Sequence, residues 1–277
     1  MTERVGVMKT YKLYLGGDFP RSESGRSFEA TGAGGEFLAN AARASRKDIR
    51  DAVKAARKAW PGWAAATAYN RGQVLYRVAE MMEARRGDLE AEVARVEGDA
   101  TGQVDSAIDT FVYYAGWTDK ITQVMGGLNP VAGPYFNITA PEPTGVVGIV
   151  APEEPSLTAL CSRIAPAMCG GNASIVLASE RFPLPAIALA ECLATADVPG
   201  GVVNILTGHK NELVPVLASH LDVDAIDITG VADELRTEVE AAAAENVKRV
   251  VTATDVRGPH EVTAFMDMKT VWHPKGR

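Results

Sequence analysis

From residue 45 to residue 120 apolar positions recur at spacings of three and four, the period of helices with one buried face. Ser45, followed by Arg46, Lys47 and Asp48, has the form of an N-terminal cap, after which Ile49, Val53, Ala56 and Trp60 share a face. Pro61-Gly62 predicts the end of that helix, because proline lacks the backbone donor that a helix interior uses. Further helices are predicted over residues 70–84, 88–97 and 104–120. They turn Val74, Leu75, Val78, Met81 and Met82, then Ile108, Phe111 and Ala115, inward. The run Met125-Gly126-Gly127-Leu128-Asn129-Pro130 breaks the pattern, and residues 135–140 read as a strand.

Beyond Gly145 the rhythm changes. Short β-branched runs at residues 146–150, 174–177, 202–206, 225–228 and 247–251 alternate with helical stretches at 157–169, 184–194, 212–219 and 232–246. Such alternation implies an α/β fold, a parallel sheet with helices on both faces. Right-handed crossovers make it a Rossmann-like layer. At the other end, residues 12–19 read as a small hairpin turning at Gly16-Gly17, residues 31–36 as a connection and nothing more, and residues 1–10 as a loose tail.

Composition narrows the functional classes. The 277 residues suffice for a large core, and 47% hydrophobic with 23% charged residues is ordinary for a globular chain. A net charge of −7 argues against nucleic acid as a partner, since phosphate binding needs a basic footprint. Every apolar run is too short to span a membrane, and the first nine residues contain no apolar signal segment. Three cysteines form no disulfide framework, so a reducing cytoplasm is the expected location.

Few residues suggest chemistry on their own. Cys161, Cys169 and Cys192 fall on predicted helices without a neighbouring base and read as small buried residues. His209, His220, His260 and His273 lack metal-ligand spacing, and Ser156 and Ser162 lack a nucleophile-elbow context. The glycine-rich Gly-x-Gly-x-x-Gly dinucleotide fingerprint is absent. Glu153 and Glu154 are adjacent carboxylates, and an acid/base pair would need both to converge on one substrate atom, whereas sequence neighbours usually diverge.

Several segments, in order, resemble the aldehyde dehydrogenase family. They are Pro141-Glu142-Pro143-Thr144-Gly145-Val146-Val147-Gly148, then Ile164-Ala165-Pro166-Ala167-Met168 with Gly171-Asn172. The most specific is Val198-Pro199-Gly200-Gly201-Val202-Val203-Asn204-Ile205-Leu206-Thr207-Gly208, followed by Ile228-Thr229-Gly230 and Ala244-Glu245-Asn246-Val247-Lys248-Arg249. Residues 261–272 resemble that family's final strand, so the likeness runs from about residue 13 to residue 272. The resemblance implies an NAD(P)-binding fold in which Glu180 accepts from ribose hydroxyls and Thr229 and Gly230 line the cofactor site. Read without the resemblance, Glu180 is a solvated glutamate opening a loop.

The same comparison implies lost chemistry. The chain passes from Val251 to Glu261 with no stretch for the family's nucleophilic cysteine. The asparagine that donates to the developing oxyanion is replaced within Pro152-Glu153-Glu154, and an ionised carboxylate cannot donate. Leu177 stands where a ribose-contacting lysine belongs, Val231 where a serine meets the pyrophosphate, Leu235 where a glycine follows, and Ala253 where the general-base glutamate lies. Carboxylates facing a pyrophosphate a few Å away would repel it by about 4 kcal/mol at an effective dielectric near 20. The expected cofactor is none, or weakly held NAD(P).

The boundaries that follow are an N-terminal hairpin and helices at 1–134, a β-arm from 135–144 and 261–273, and a Rossmann-like domain at 145–256. In the resembled family such an arm crosses to a neighbouring subunit and extends its catalytic-domain sheet. Tyr135, Phe136, Ile138, Phe265, Met268, Val271 and Trp272 are therefore the expected partner-binding residues. A two-stranded ribbon without a home sheet invites pairing with another chain. The expectation is a catalytically inactive subunit that assembles with a full-length aldehyde dehydrogenase. Two alternatives are an NAD(P)-binding sensor and an oxidoreductase acting on aldehydes through different residues; a decaying fragment is the plain contrast.

Overall fold

The computed structural model describes residues 9–276; most of the predicted loose tail lies outside them. Strands β1 (Thr10–Tyr11), β2 (Ser27–Thr31) and β3 (Phe37–Ala42) form a small sheet in the order β1-β3-β2. The stretch expected to be a plain connection is thus the turn of a hairpin, with β2 antiparallel to β3. Its strands carry weak local signals: β3 contributes Ala39, Ala41 and Ala42, which are held by burial and not by β-propensity. The turn at Gly16-Gly17 forms where the glycines predict it, both at positive φ, with Leu15 bridged to Asp18.

Helix α1 (Arg46–Ala65) starts at a full capping box, Ser45 accepting from the backbone of Lys47 and Asp48 while Asp48 accepts from the backbone of Ser45. It does not stop at Pro61. The next turn is held because Trp63 is buried and its indole Nε1 donates to the Met168 carbonyl at 3.1 Å. That packing offsets a helix-interior proline, which costs about 3 kcal/mol. Helices α2 (Ala68–Ala84), α3 (Arg86–Glu97), α4 (Gln103–Trp117) and α5 (Ile121–Met125) follow. The helix expected over 104–120 ends three residues early, at Trp117, where Thr118 turns its hydroxyl onto the Ala115 carbonyl at 3.0 Å, competing with the ladder, and the short α5 follows it.

The central layer comprises β6 (Val146–Val150), α6 (Ser156–Cys169), β7 (Ala173–Leu177), α7 (Leu184–Ala194), β8 (Val203–Leu206), α8 (Lys210–Ser219), β9 (Ala225–Asp227), α9 (Asp233–Ala244) and β10 (Arg249–Val251). Its five strands are parallel in the order β10-β9-β6-β7-β8. Strands β6 to β9 are buried on both faces, which is why they read as continuous apolar runs. Val147 and Ile149 face the core shared with α2, α3, α4, α6 and α7, whereas Val146 and Val150 face α1, α8 and α9. Because β9 returns to the other side of β6, the strand order reverses between them, and the crevice at their carboxyl ends is the natural ligand position.

A second sheet stands apart: β4 (Gly127–Asn129), β5 (Tyr135–Pro143) and β11 (Met266–Pro274), antiparallel in the order β11-β5-β4. The arm is three-stranded, not the two-stranded ribbon expected. Asn129 Nδ2 donates to Asn137 Oδ1 at 2.6 Å and Thr139 Oγ1 at 2.7 Å, so side chains hold a strand too short to be visible in the sequence. Between β10 and β11 lie only residues 252–265, including helix α10 (Pro259–Thr263).

That crossing is anchored twice. Arg163, 1% exposed on α6, pairs with Asp227 and Glu261, and Glu261 also accepts from Thr254 Oγ1 at 2.7 Å and the Asp255 amide at 3.0 Å. Arg249 on β10 donates to the Met266 carbonyl and, at 2.6 Å, to Asp267, clamping the base of β11 to the parallel sheet.

Candidate functional site

At the carboxyl edge a cleft of about 500 Å³ opens between the loops after β6, β8 and β9, lined by Pro152, Glu153, Lys210, Val231 and Leu235 among others. A second compartment of about 460 Å³ shares Glu153 and Glu180 and adds Phe28, Arg181 and His209, so the unforeseen β2–β3 hairpin supplies part of its wall. A larger groove of about 980 Å³ lies beside α1, α8 and α9, away from the strand ends. The strand-end cleft, where polar groups converge, is the better site on chemical grounds.

Glu153 is the hub of the cleft. Its carboxylate accepts from Ser179 Oγ at 2.7 Å and the Arg181 amide at 3.0 Å, and it pairs with the Lys210 ammonium. Lys210 Nζ also donates to the Ala151 carbonyl at 2.5 Å. Burial pushes the Glu153 carboxyl up, but Lys210, with the bonds from Arg181 and Ser179, outweighs it and leaves the group below the usual carboxylate range. Glu154 turns away to solvent, 61% exposed and 3.6 Å from Arg181. The adjacent carboxylates therefore diverge and form no acid/base pair.

Each residue expected at the cofactor site is engaged by its own chain. Glu180 accepts from the Lys210 amide at 2.8 Å and lies 2.6 Å from His209 Nδ1, which ties it to the first turn of α8. Thr229 donates its hydroxyl to Asp227 at 2.5 Å and accepts from the Ala253 amide at 2.8 Å. Gly230 donates to the Val150 carbonyl at 2.9 Å, and an added Cβ there would fall 2.1 Å from the Ala151 oxygen. Glycine is required by this close approach of two loops. Gly230→Ala is expected to lower stability by about 1–3 kcal/mol, the usual cost of overpacking, read from denaturant midpoints.

The helix ends around the cleft are already supplied with carboxylates. The Ser156 amide at the start of α6 donates to Glu97 on α3 at 2.8 Å, and α9 carries Asp233 and Glu234 in its first turn. Both arrangements satisfy the positive end of a helix from within the chain. Leu177 and Val231 are buried apolar residues. The three cysteines are buried and free, and burial pushes the thiols of Cys169 and Cys192 up to about 12 and about 11. Attack needs the thiolate, which such burial disfavours. Among the described residues no three His, Cys, Asp or Glu side chains gather as a metal site, and no helix is long and apolar enough to cross a membrane.

Lys210 and Ser179 are not singled out by sequence reasoning, and His209 is weighed there only as a metal ligand. A lysine at the first residue of a helix opposes the helix dipole and needs another reason to be there, but a predicted helix start at residue 212 hides this signal.

On the arm, pairing register sorts the expected partner-binding residues. Leu128, Ile138 and Val271 form one rung across all three strands, 66%, 48% and 61% exposed, with Phe136 beside them. Tyr135, Met268 and Trp272 are exposed on the opposite face, where the Tyr135 and Trp272 rings meet edge to face at 5.9 Å. Phe265 is a correction: it precedes β11, is fully buried, and packs under the Arg163 guanidinium, so it belongs to the core.

A doubly wound parallel layer with an antiparallel arm defines a class of dinucleotide-binding α/β proteins. The aldehyde dehydrogenase family model matches residues 21–273, and this chain belongs to that family. It is 34% identical over 270 residues to aldehyde dehydrogenase, cytosolic 1, of Elephantulus edwardii, covering 93% of this chain and 52% of that protein. Human (Homo sapiens) retinal dehydrogenase 2 is likewise 34% identical over 270 residues, with 94% and 52% covered. Among solved structures, HpcC from Thermus thermophilus superposes with a TM-score of 0.83 at 30% identity, over 88% of this chain and 48% of that one. The NAD+ complex of aldehyde dehydrogenase from Bacillus cereus gives 0.81 at 28% identity, over 88% and 50%. The chain thus spans about half the length of these relatives, and the matched fold is the family's NAD-binding domain. The resemblance read from the sequence and the Rossmann-like parallel sheet both hold.

Proposed function

We propose that this chain is a non-catalytic aldehyde dehydrogenase-family subunit that assembles with a full-length aldehyde dehydrogenase and supports or regulates it. The carrying observation is the arm: an exposed apolar rung of Leu128, Ile138 and Val271, beside an outer edge of β11 that pairs with no described strand. A sheet edge of this kind recruits a further strand, and an apolar row beside it gains from being covered. Residues 252–265 are too few for a catalytic domain with a sheet of its own, so a second copy brings no such docking edge. A full-length relative would.

Inactivity is supported by the three buried thiols and by the sequence resemblance, which aligns Glu154, an acceptor when ionised, with the family's oxyanion donor. Dinucleotide binding is weak or absent in this reading. Leu177 and Val231 offer no polar contact, and Asp233 and Glu234 oppose a pyrophosphate at α9. The test is co-expression with full-length aldehyde dehydrogenases of the same host, followed by native mass spectrometry and an NAD-dependent aldehyde assay. A mixed assembly is expected, with no turnover by the single chain. A stable monomer that ignores every such enzyme, or aldehyde oxidation by the chain alone, overturns the proposal.

A further inference from the structure

Lys210 is an unusual cation: it is 9% exposed, it opens a helix, and its ammonium reaches back across the cleft to the loop after β6. Its charge is met there by Glu153, whose other oxygen is held by Ser179 Oγ at 2.7 Å and the Arg181 amide at 3.0 Å. The arrangement is a caged anion, with one fixed cation, one hydroxyl and one backbone amide converging on a single group. Those are the donors that proteins use for phosphate. Here the chain supplies the anion itself.

We propose that Glu153 is a built-in surrogate for a phosphate, and that the Glu153–Lys210 pair closes a latent anion site in the strand-end cleft. The pair also staples the loops after β6, β7 and β8 to one another along the carboxyl edge of the sheet, where they line the cleft. Without the Glu153 charge, Lys210 keeps only the Ala151 carbonyl. Glu180, the other carboxylate nearby, stays engaged by His209 and the Lys210 amide. A cation so placed takes a small phosphate anion in place of the lost carboxylate. This inference rests on the reading that the native cleft binds dinucleotide weakly or not at all, and it is independent of the arm.

The experiment is isothermal titration of the full chain with inorganic pyrophosphate, and separately with NAD, for wild type, Glu153→Gln and Glu153→Gln/Lys210→Gln. Glutamine keeps the size of Glu153 and one acceptor oxygen while removing its charge; Glu153→Ser serves if that variant does not fold, judged by thermal melting. Glu153→Gln is expected to bind pyrophosphate at least about tenfold more tightly than wild type, the worth of roughly one charge-assisted hydrogen bond, and the double variant to lose that gain. Equal affinity in wild type and Glu153→Gln, or a gain that survives loss of Lys210, overturns the surrogate while leaving the weak-binding reading intact. Tight NAD binding by wild type overturns both.

Discussion

Arg163→Ala is expected to destabilise the chain by about 3–5 kcal/mol, the cost of removing one partner from a buried ion cluster. The guanidinium is 1% exposed and serves two carboxylates that are themselves buried, Asp227 at the end of β9 and Glu261 on α10. Its loss would leave two negative charges close together without a cation. Glu261 shows the balance: burial pushes its carboxyl up, while hydrogen bonds from Thr254 and Arg163 prevail and keep it below its ordinary range. A carboxylate held low contributes stability above its unfolded pKa, near 4.3, and that contribution disappears as pH falls through the folded value. In the variant burial pushes the Glu261 carboxyl up unopposed by Arg163, so its protonation relieves the folded state. The gap between wild type and variant should therefore narrow in acid. Urea unfolding at neutral pH and near pH 5 measures both effects. A neutral-pH loss below about 1 kcal/mol would mean the cluster does not hold the crossing.

Val271→Lys should do the opposite, sparing the fold and removing the assembly. The side chain is 61% exposed on β11, opposite Ile138 in the register, so stability should change by no more than about 0.5 kcal/mol. A charge at the centre of a buried contact is costly, and a loss of roughly 2 kcal/mol corresponds to about a thirtyfold weaker association with the full-length partner. Glu240→Lys, an exposed change on α9 of the same sign, is the control and should leave association unaffected. Sedimentation of the mixed proteins reads both variants. Identical association for wild type and Val271→Lys would remove the arm from the interface.

The legible parts of this chain are those whose local signal agrees with their burial. Strands β6 to β9 are short β-branched runs between helices, and nothing in their surroundings contradicts that pattern. The missed parts depend on tertiary partners. The β2–β3 hairpin is held by buried alanines, β4 by amide bonds to its neighbours, and the end of α1 by Trp63 beyond a proline. Phe265 was misplaced because an aromatic residue just before an exposed strand reads like the strand itself. The candidate cleft was only partly legible. Glu153, Glu180, Thr229 and Gly230 could be named, but Lys210, which holds Glu153 with its ammonium and Glu180 with its backbone amide, lies 57 residues beyond Glu153, and no spacing rule connects them.

The clamp of Arg249 on Met266 and Asp267 has a mechanical consequence. The arm is built in at its root and free at its tip, like a cantilever. A load on Trp272 is borne along β11 to Arg249 and thence to β10, at the outer margin of the parallel sheet. Hydrogen exchange should be slow around Met266 and quicken toward Pro274, and gripping the tip would stiffen β5 along its length and reach the parallel sheet through β10 and β6.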